Sequence, residues 1–284
     1  MKKYIQLLRI KNYIKNFLIF LPFVFSGKCL TFDNTYLIMI LGFIAFCLSS
    51  SFIYIINDLL DRHEDKLHAV KCQRPLASGA LSCGQAICVD IVLALSIMII
   101  MLFLHNVWLC LLIGIYIGLN IVYSCKLKNI PIVDISVLCC FFIIRIYFGA
   151  FLVDVPVSIY LYLTVMAVAF MMGVIKRKQE KLHNANCRYS LKFYTVDFLS
   201  RLSHTFMSLS IVFYSLWIVS DTNAYLNKSV MQLSIFLVVF ILMYYQYVVD
   251  NSKNGNPVDV LFENKGLLIA LLCYALLIIV GFMI

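Results

Sequence analysis

Residues 36–65 read YLIMILGFIAFCLSSSFIYIINDLLDRHED, an apolar run from Tyr36 to Ile56 followed directly by Asn57-Asp58-Leu59-Leu60-Asp61-Arg62-His63-Glu64-Asp65. The run has the roughly 20 mostly apolar residues that a membrane-crossing helix needs. The polar tail has the pattern N-D-x-x-D-x-x-x-D. At 3.6 residues per turn, Asn57, Asp58, Asp61 and Asp65 fall within about 100° of one helix face. Carboxylates gathered on one face repel each other unless a cation lies between them, and hard oxygen ligands suit Mg²⁺ shared with the phosphates of a substrate. A solvated acidic helix end balanced by Arg62 and Lys66 is the plain alternative. Against it stand the position at a membrane boundary and the scarcity of acids, 14 in the chain.

The rest of the sequence repeats the apolar pattern. Its 284 residues are 63% hydrophobic and 13% charged, with a mean hydropathy of +0.95, where soluble domains have about 45–50% apolar and 25% charged residues. This excludes a soluble globule, and 22 Phe with 17 Tyr exclude a disordered chain. The fold class expected is all-α, a polytopic membrane bundle with a central cavity. Nine spans are expected, at 14–31, 36–56, 86–104, 107–124, 131–153, 158–175, 203–220, 229–249 and 266–284. His105-Asn106 is the hairpin between the third and fourth, and the first run, lacking a small-x-small cleavage site, is expected to stay as a helix.

The net charge of +9 does not point to nucleic acid, because the basic residues lie between apolar runs. Of 23 Lys and Arg, 20 fall in the N-terminus and the loops 57–85, 125–130, 176–202 and 250–265, against Lys28 and Lys228 on the other side and Arg145 within a span. The positive-inside rule makes the N-terminus and those loops cytoplasmic, in a cell inner membrane, with the cavity opening to the cytoplasm. The whole of 1–284 is expected to form a single transmembrane domain. Most of the 11 Cys sit in apolar runs as small hydrophobes, and the five His make no ligand set.

Three further groups carry polar chemistry. Lys71-Cys72-Gln73-Arg74-Pro75-Leu76-Ala77-Ser78-Gly79 is a basic loop in which Arg74 suits bidentate phosphate binding. Tyr123, Ser124, Lys126 and Lys128 precede the fifth span, and Asp134 and Arg145 lie within it. Asp134 and Arg145 are about 20° apart on a helix wheel and roughly 16 Å apart along it, so they share a face, expected to line the pocket because intramembrane charges are costly. An Arg145 bonded only to backbone carbonyls is the structural alternative. The third group is Lys176-Arg177-Lys178-Gln179-Glu180-Lys181, then Arg188, Tyr189 and Tyr194, in the longest loop. Topology alone explains many of these charges; Lys176 pairing with Glu180 at i,i+4 would leave Arg177 free for a ligand.

Nine spans with N-D-x-x-D-x-x-x-D after the second resemble the UbiA superfamily of intramembrane prenyltransferases, over essentially the whole chain. The family's second acidic motif is usually D-x-x-x-D after the fourth helix, whereas here Leu138 stands four residues after Asp134, which counts against standard aromatic prenylation. The chain is more similar to the decaprenyl-phosphate phosphoribosyltransferases of that superfamily. The similarity lies in Lys15-Asn16, Lys71 to Gly79, Tyr123-Ser124-x-x-Leu127-Lys128, Asp134 with Arg145, Lys176-Arg177-x-x-Glu180, and Asn256-Pro257-Val258-Asp259-Val260-Leu261-Phe262-Glu263-Asn264-Lys265.

That resemblance implies transfer of 5-phosphoribose from phosphoribosyl diphosphate (PRPP) to a polyprenyl phosphate for cell-envelope glycans, with Mg²⁺ as cofactor and the bilayer as surroundings. It implies metal ligation by Asn57, Asp58, Asp61 and Asp65, and catalytic roles for Asp58, Asp61 and Asp134, the last toward ribose hydroxyls or a second metal. It implies phosphate contacts from Arg74 and Lys126 or Lys128. Lys15, Arg145 and Arg177 would cancel repulsion between two anionic substrates, and Asn16, Tyr123, Lys176 and Tyr189 complete the substrate contacts. Homo-oligomerisation is left open. The alternatives are a prenyltransferase moving a prenyl group from a prenyl diphosphate to an aromatic acceptor and, from another class, a transporter, for which no internal repeat is visible.

Overall fold

The computed structural model describes residues 2–31, 33–67, 71–183, 189–220, 227–252 and 257–283. Every described element is helical: α1 (Lys2–Leu8), α2 (Phe20–Phe25), α3 (Thr35–Leu60), α4 (Arg62–Leu67), α5 (Cys83–Leu104), α6 (Val107–Cys125), α7 (Val133–Val153), α8 (Ile159–His183), α9 (Val196–Val219), α10 (Lys228–Asp250), α11 (Pro257–Glu263) and α12 (Lys265–Met283), with short 3₁₀ turns between. Eight of them, α3, α5–α10 and α12, are long and apolar enough to cross a membrane. The protein is therefore a polytopic membrane protein.

The expected first span, 14–31, is not one long helix among the described residues. Arg9 takes a left-handed conformation at φ 51°, Ile10–Ile19 follows as a 3₁₀ segment, and α2 begins only at Phe20. Pro22, which donates no backbone hydrogen bond, fits the first turn of a new helix but not the middle of an old one. Gly27 at φ 74° ends the run.

Two other expectations shift. The loop expected from 176 to 202 is partly helix: α8 continues to His183 and α9 starts at Val196, with the Thr195 hydroxyl capping it on Phe198 N. α8 keeps going because buried partners reward it, Gln179 Nε2 donating to the Val249 carbonyl at 3.0 Å. The acidic tail is not one continuous helix either, since α3 ends at Leu60 and α4 starts at Arg62. The expected hairpin holds: His105, at φ 45°, closes α5, and Asn106 Oδ1 accepts from Trp108 N to start α6.

The chain divides into two compact units, residues 1–23, 28–125 and 147–155, and residues 24–27, 126–146 and 156–284. In the first, α3 is the central element, packed by α1, α5 and α6. Its core of Leu7, Ile55, Leu76, Leu81, Ala86 and Leu93 lies beside the acidic tail. α5 begins with a reciprocal cap, Ser82 Oγ accepting from Gln85 N and Gln85 Oε1 accepting from Ser82 N. The 3₁₀ segment is seated on α3 by polar bonds, Asn16 Nδ2 to Ser50 Oγ at 3.3 Å and Tyr13 to Ser51 at 2.7 Å. It also lies against Gly149, where an added Cβ would meet the Ile19 carbonyl oxygen at 1.9 Å.

In the second unit, α8 packs along α9, and α10 packs against α9 and α12. One core joins Met171, Ile175, Leu242, Tyr245, Val249, Val260 and Leu267. Another joins Ile135, Val174, Leu191, Tyr194 and Leu199.

Candidate functional site

In the first unit the sequence around the end of α3 folds back on itself. The turn at Asp61 redirects the chain into α4, and Pro75 and Gly79, at φ 75°, turn the basic loop back toward α3. Asp58 and Asp65 are both buried at 2% exposure, and cations surround them. Arg74 Nη1 lies 3.1 Å from Asp58 Oδ1 and 2.5 Å from Asp65 Oδ2. Lys71 Nζ lies 3.8 Å from Asp65 Oδ1. Arg9 Nη2 donates to Asp58 Oδ1 as well, with its guanidinium 4.9 Å from the centre of the Tyr54 ring. A carboxylate taken out of water is costly unless a cation pairs with it, and here each of the two has a guanidinium within ion-pair distance.

The expected face of four metal ligands is thus rearranged. Asn57 Oδ1 accepts from Ser124 Oγ of α6 at 2.8 Å. Asp61 caps the end of α3, its N–H donating to the Asn57 carbonyl at 2.9 Å, and is half-buried. Among the described residues no three His, Cys, Asp or Glu side chains converge on one point. Lys15 and Tyr123 are half-buried in the same unit, and Asn16 is fully buried, bonded to Ser50 and Cys47.

The second unit gathers a different set. Asp134, at 0% exposure, receives the Tyr194 hydroxyl at 2.7 Å on Oδ1 and the Ser190 hydroxyl at 3.2 Å on Oδ2. Arg177, also at 0%, places Nε 2.7 Å from Asp134 Oδ2, an ion pair whose N–H is not aligned on the oxygen, and Nη1 donates to Glu180. Arg177 is therefore not the free residue expected; the acid at 180 pairs with it at i,i+3. The Tyr194 phenol is pushed well above the usual tyrosine range by burial and by its bond to Asp134, so it remains the donor.

Arg145 is buried and its Nη1 donates to the Phe141 carbonyl one turn back on α7. That bond is of the kind the backbone-bonded alternative expects. Lys126 is exposed, Lys128 and Lys176 are half-buried, and Tyr189 is exposed, in edge contact with Phe193. Arg188 lies outside the described residues.

Sequence reading missed three residues. Arg9 counts there only as one of many N-terminal charges, and nothing at residue 9 signals a partner at 58. Tyr194 stands in the loop text without a role. Asp90 lies inside an apolar run, and in the structure it is buried in α5 with Oδ1 unpartnered.

The UbiA prenyltransferase family profile matches residues 20–272. A decaprenyl-phosphate phosphoribosyltransferase of Corynebacterium glutamicum is 30% identical over 286 residues, 98% of this chain and 86% of that protein. Its counterpart from Mycolicibacterium smegmatis is 26% identical over 284 residues, 95% of this chain and 89% of that protein. Among solved structures, a UbiA homologue from Archaeoglobus fulgidus bound to GPP and Mg²⁺ has the same fold, with a TM-score of 0.70 at 17% identity over 99% of this chain and 98% of that one.

Proposed function

The chain belongs to the UbiA prenyltransferase family, and from that premise we propose that it transfers 5-phosphoribose from PRPP to a polyprenyl phosphate in a Mg²⁺-dependent reaction at the cytoplasmic face of the membrane. The observation that carries the reading is the near full-length similarity to two phosphoribosyltransferases. The cluster of Asp58, Asp65, Arg74, Lys71 and Arg9 agrees with it in kind, because it offers carboxylates for a metal and guanidinium groups for phosphate within one buried site.

The donor types fit Mg²⁺. Asp58, Asp61 and Asp65 would hold it, and it would supply charge neutralisation for the departing diphosphate. The chain's own residues do the rest of the work in this reading. Arg74 and Lys71 hold phosphate oxygens, lying on the loop whose turn brings them to Asp65. The bond from ribose C1 to diphosphate oxygen breaks, and one from C1 to a lipid phosphate oxygen forms. The lipid phosphate is already ionised, so no strong general base is needed. The network around Asp134 would hold α7 and α8 in register, with ribose hydroxyls as its ligand only if Arg177 moves.

A second reading has its own observation. The Archaeoglobus fulgidus homologue holds GPP, a prenyl diphosphate, and this ligand favours transfer of a prenyl group to an aromatic acceptor more directly than anything in the site favours PRPP. Within this chain Leu138 and the neutralised Asp134 weigh the other way, since together they leave no second acidic pair on α7.

The test is incubation of the purified protein with polyprenyl phosphate, Mg²⁺ and PRPP labelled in the ribose. Label is expected in the organic phase, and it should vanish with EDTA and in Asp58→Ala. Full activity in a folded Asp58→Ala variant would overturn the role given to this cluster.

A further inference from the structure

We propose that Arg9 is a positioning residue that couples anion binding to divalent-metal binding at the Asp58–Asp65 pair. The proposal rests on the metal-dependent reading above and adds to it an order of events.

Asp58 Oδ1 accepts from two guanidinium groups at once, Arg9 Nη2 and Arg74 Nη1. A divalent cation at about 2.1 Å from that oxygen would sit directly against both positive charges. Metal binding is therefore opposed while both guanidiniums stay, and an anion that draws one of them away relieves that repulsion. A phosphate or diphosphate group qualifies, with more charge and the same bidentate geometry.

Arg9 is the one built to move. Arg74 has a second carboxylate, Asp65 at 2.5 Å, on which to stay. Among the described residues Asp58 is the only carboxylate that Arg9 meets. Its backbone, at φ 51° and ψ 46°, is in the left-handed region that side chains other than glycine and asparagine avoid. It sits at the junction of α1 and the 3₁₀ segment, where one residue's rotation re-aims the side chain. At 24% exposure the side chain is open to an arriving anion, while the Tyr54 ring steadies it in the resting position. In this arrangement the arginines keep the carboxylates paired and closed until the anionic substrate arrives. Metal and anion then bind with positive coupling.

The experiment is Mn²⁺ titration, followed by electron paramagnetic resonance, of the full-length protein in detergent with and without inorganic diphosphate at matched free Mn²⁺. Wild type is expected to bind Mn²⁺ about tenfold or more tightly with diphosphate, within the usual range of coupling between sites. Arg9→Asn, chosen because asparagine tolerates the left-handed backbone, is expected to tighten Mn²⁺ binding in the absence of diphosphate and to bring the ratio toward one. Arg9→Lys, which keeps the charge without the fork, should retain part of the coupling. Equal wild-type affinities with and without diphosphate would overturn the coupling while leaving the metal site standing. So would an Arg9→Asn variant with the wild-type ratio. No saturable Mn²⁺ binding by folded protein under either condition would overturn the metal-dependent reading and the coupling together.

Discussion

Asp58 and Asp65, seven residues apart and on two different helices, are bridged by a single nitrogen, Nη1 of Arg74, at 3.1 and 2.5 Å. The bridge ties α4 to the end of α3 and holds the basic loop against that end. One side chain thus holds the turn, the loop and the charge balance of the site together.

Removing it should be costly for folding as well as for activity. Arg74→Ala leaves Asp65 with Lys71 and Asp58 with Arg9, so a loss of about 1–3 kcal/mol is expected, read as a lower melting temperature in detergent. Arg74→Lys should recover part of the stability but little of the transfer rate, because an ammonium keeps the charge but not the planar fork that grips a phosphate bidentately. An Arg74→Ala protein as stable as wild type would mean that the bridge contributes nothing.

The buried pair of Asp134 and Arg177 offers a sharper thermodynamic test. Arg177→Gln leaves Asp134 without a cation at zero exposure, and a loss of about 3–5 kcal/mol is expected; Asp134→Asn, after which Arg177 keeps Glu180, should lose less. The double variant should lose less than the sum of the two. Additive losses in a thermal double-mutant cycle would show that the pair is not coupled.

Tyr194 gives a pH prediction. Its folded-state pKa is raised above the ordinary value by burial and by Asp134, so the stability it contributes is fully present below about pH 10 and is lost only as pH climbs toward the raised value. Tyr194→Phe should cost about 1 kcal/mol, and the gap to wild type should stay constant from pH 6 to about pH 9. A gap that closes between pH 7 and 9 would contradict the assignment.

Asp90 should behave in the opposite sense. Its Oδ1 has no hydrogen-bond partner and the residue is 8% exposed within a membrane-crossing helix. Asp90→Leu should stabilise the protein by about 1–3 kcal/mol, measured by thermal unfolding. If transfer activity falls while stability rises, Asp90 carries a function that its surroundings in the structure do not disclose.

Much of this fold was legible because its determinants are local. Apolar runs of membrane length gave α3, α5, α6, α7, α10 and α12 nearly residue for residue, and His105-Asn106 marked a hairpin whose chemistry is written in two residues. The break at Arg9 and the 3₁₀ segment after it were not legible, because their cause is tertiary: Asn16 and Tyr13 bond to serines on α3, and Gly149 lets the Ile19 backbone approach. The acids of the site could be read from spacing, whereas their partners could not. Arg9 meets Asp58 across 49 residues of sequence, and Arg177 reaches Asp134 only because α8 extends as helix beyond its apolar part. Periodicity reports which residues share a face; it does not report which cation lies opposite.

The donor is the central claim, and the most direct measurement offers both donors to the same preparation. Purified protein with Mg²⁺ would receive ribose-labelled PRPP with polyprenyl phosphate in one reaction, and prenyl-labelled diphosphate with an aromatic acceptor in the other. The account predicts lipid-linked ribose label in the first and no transfer in the second. Prenylated acceptor in the second reaction, with no ribose label in the first, would contradict it and make this protein a prenyltransferase in the strict sense.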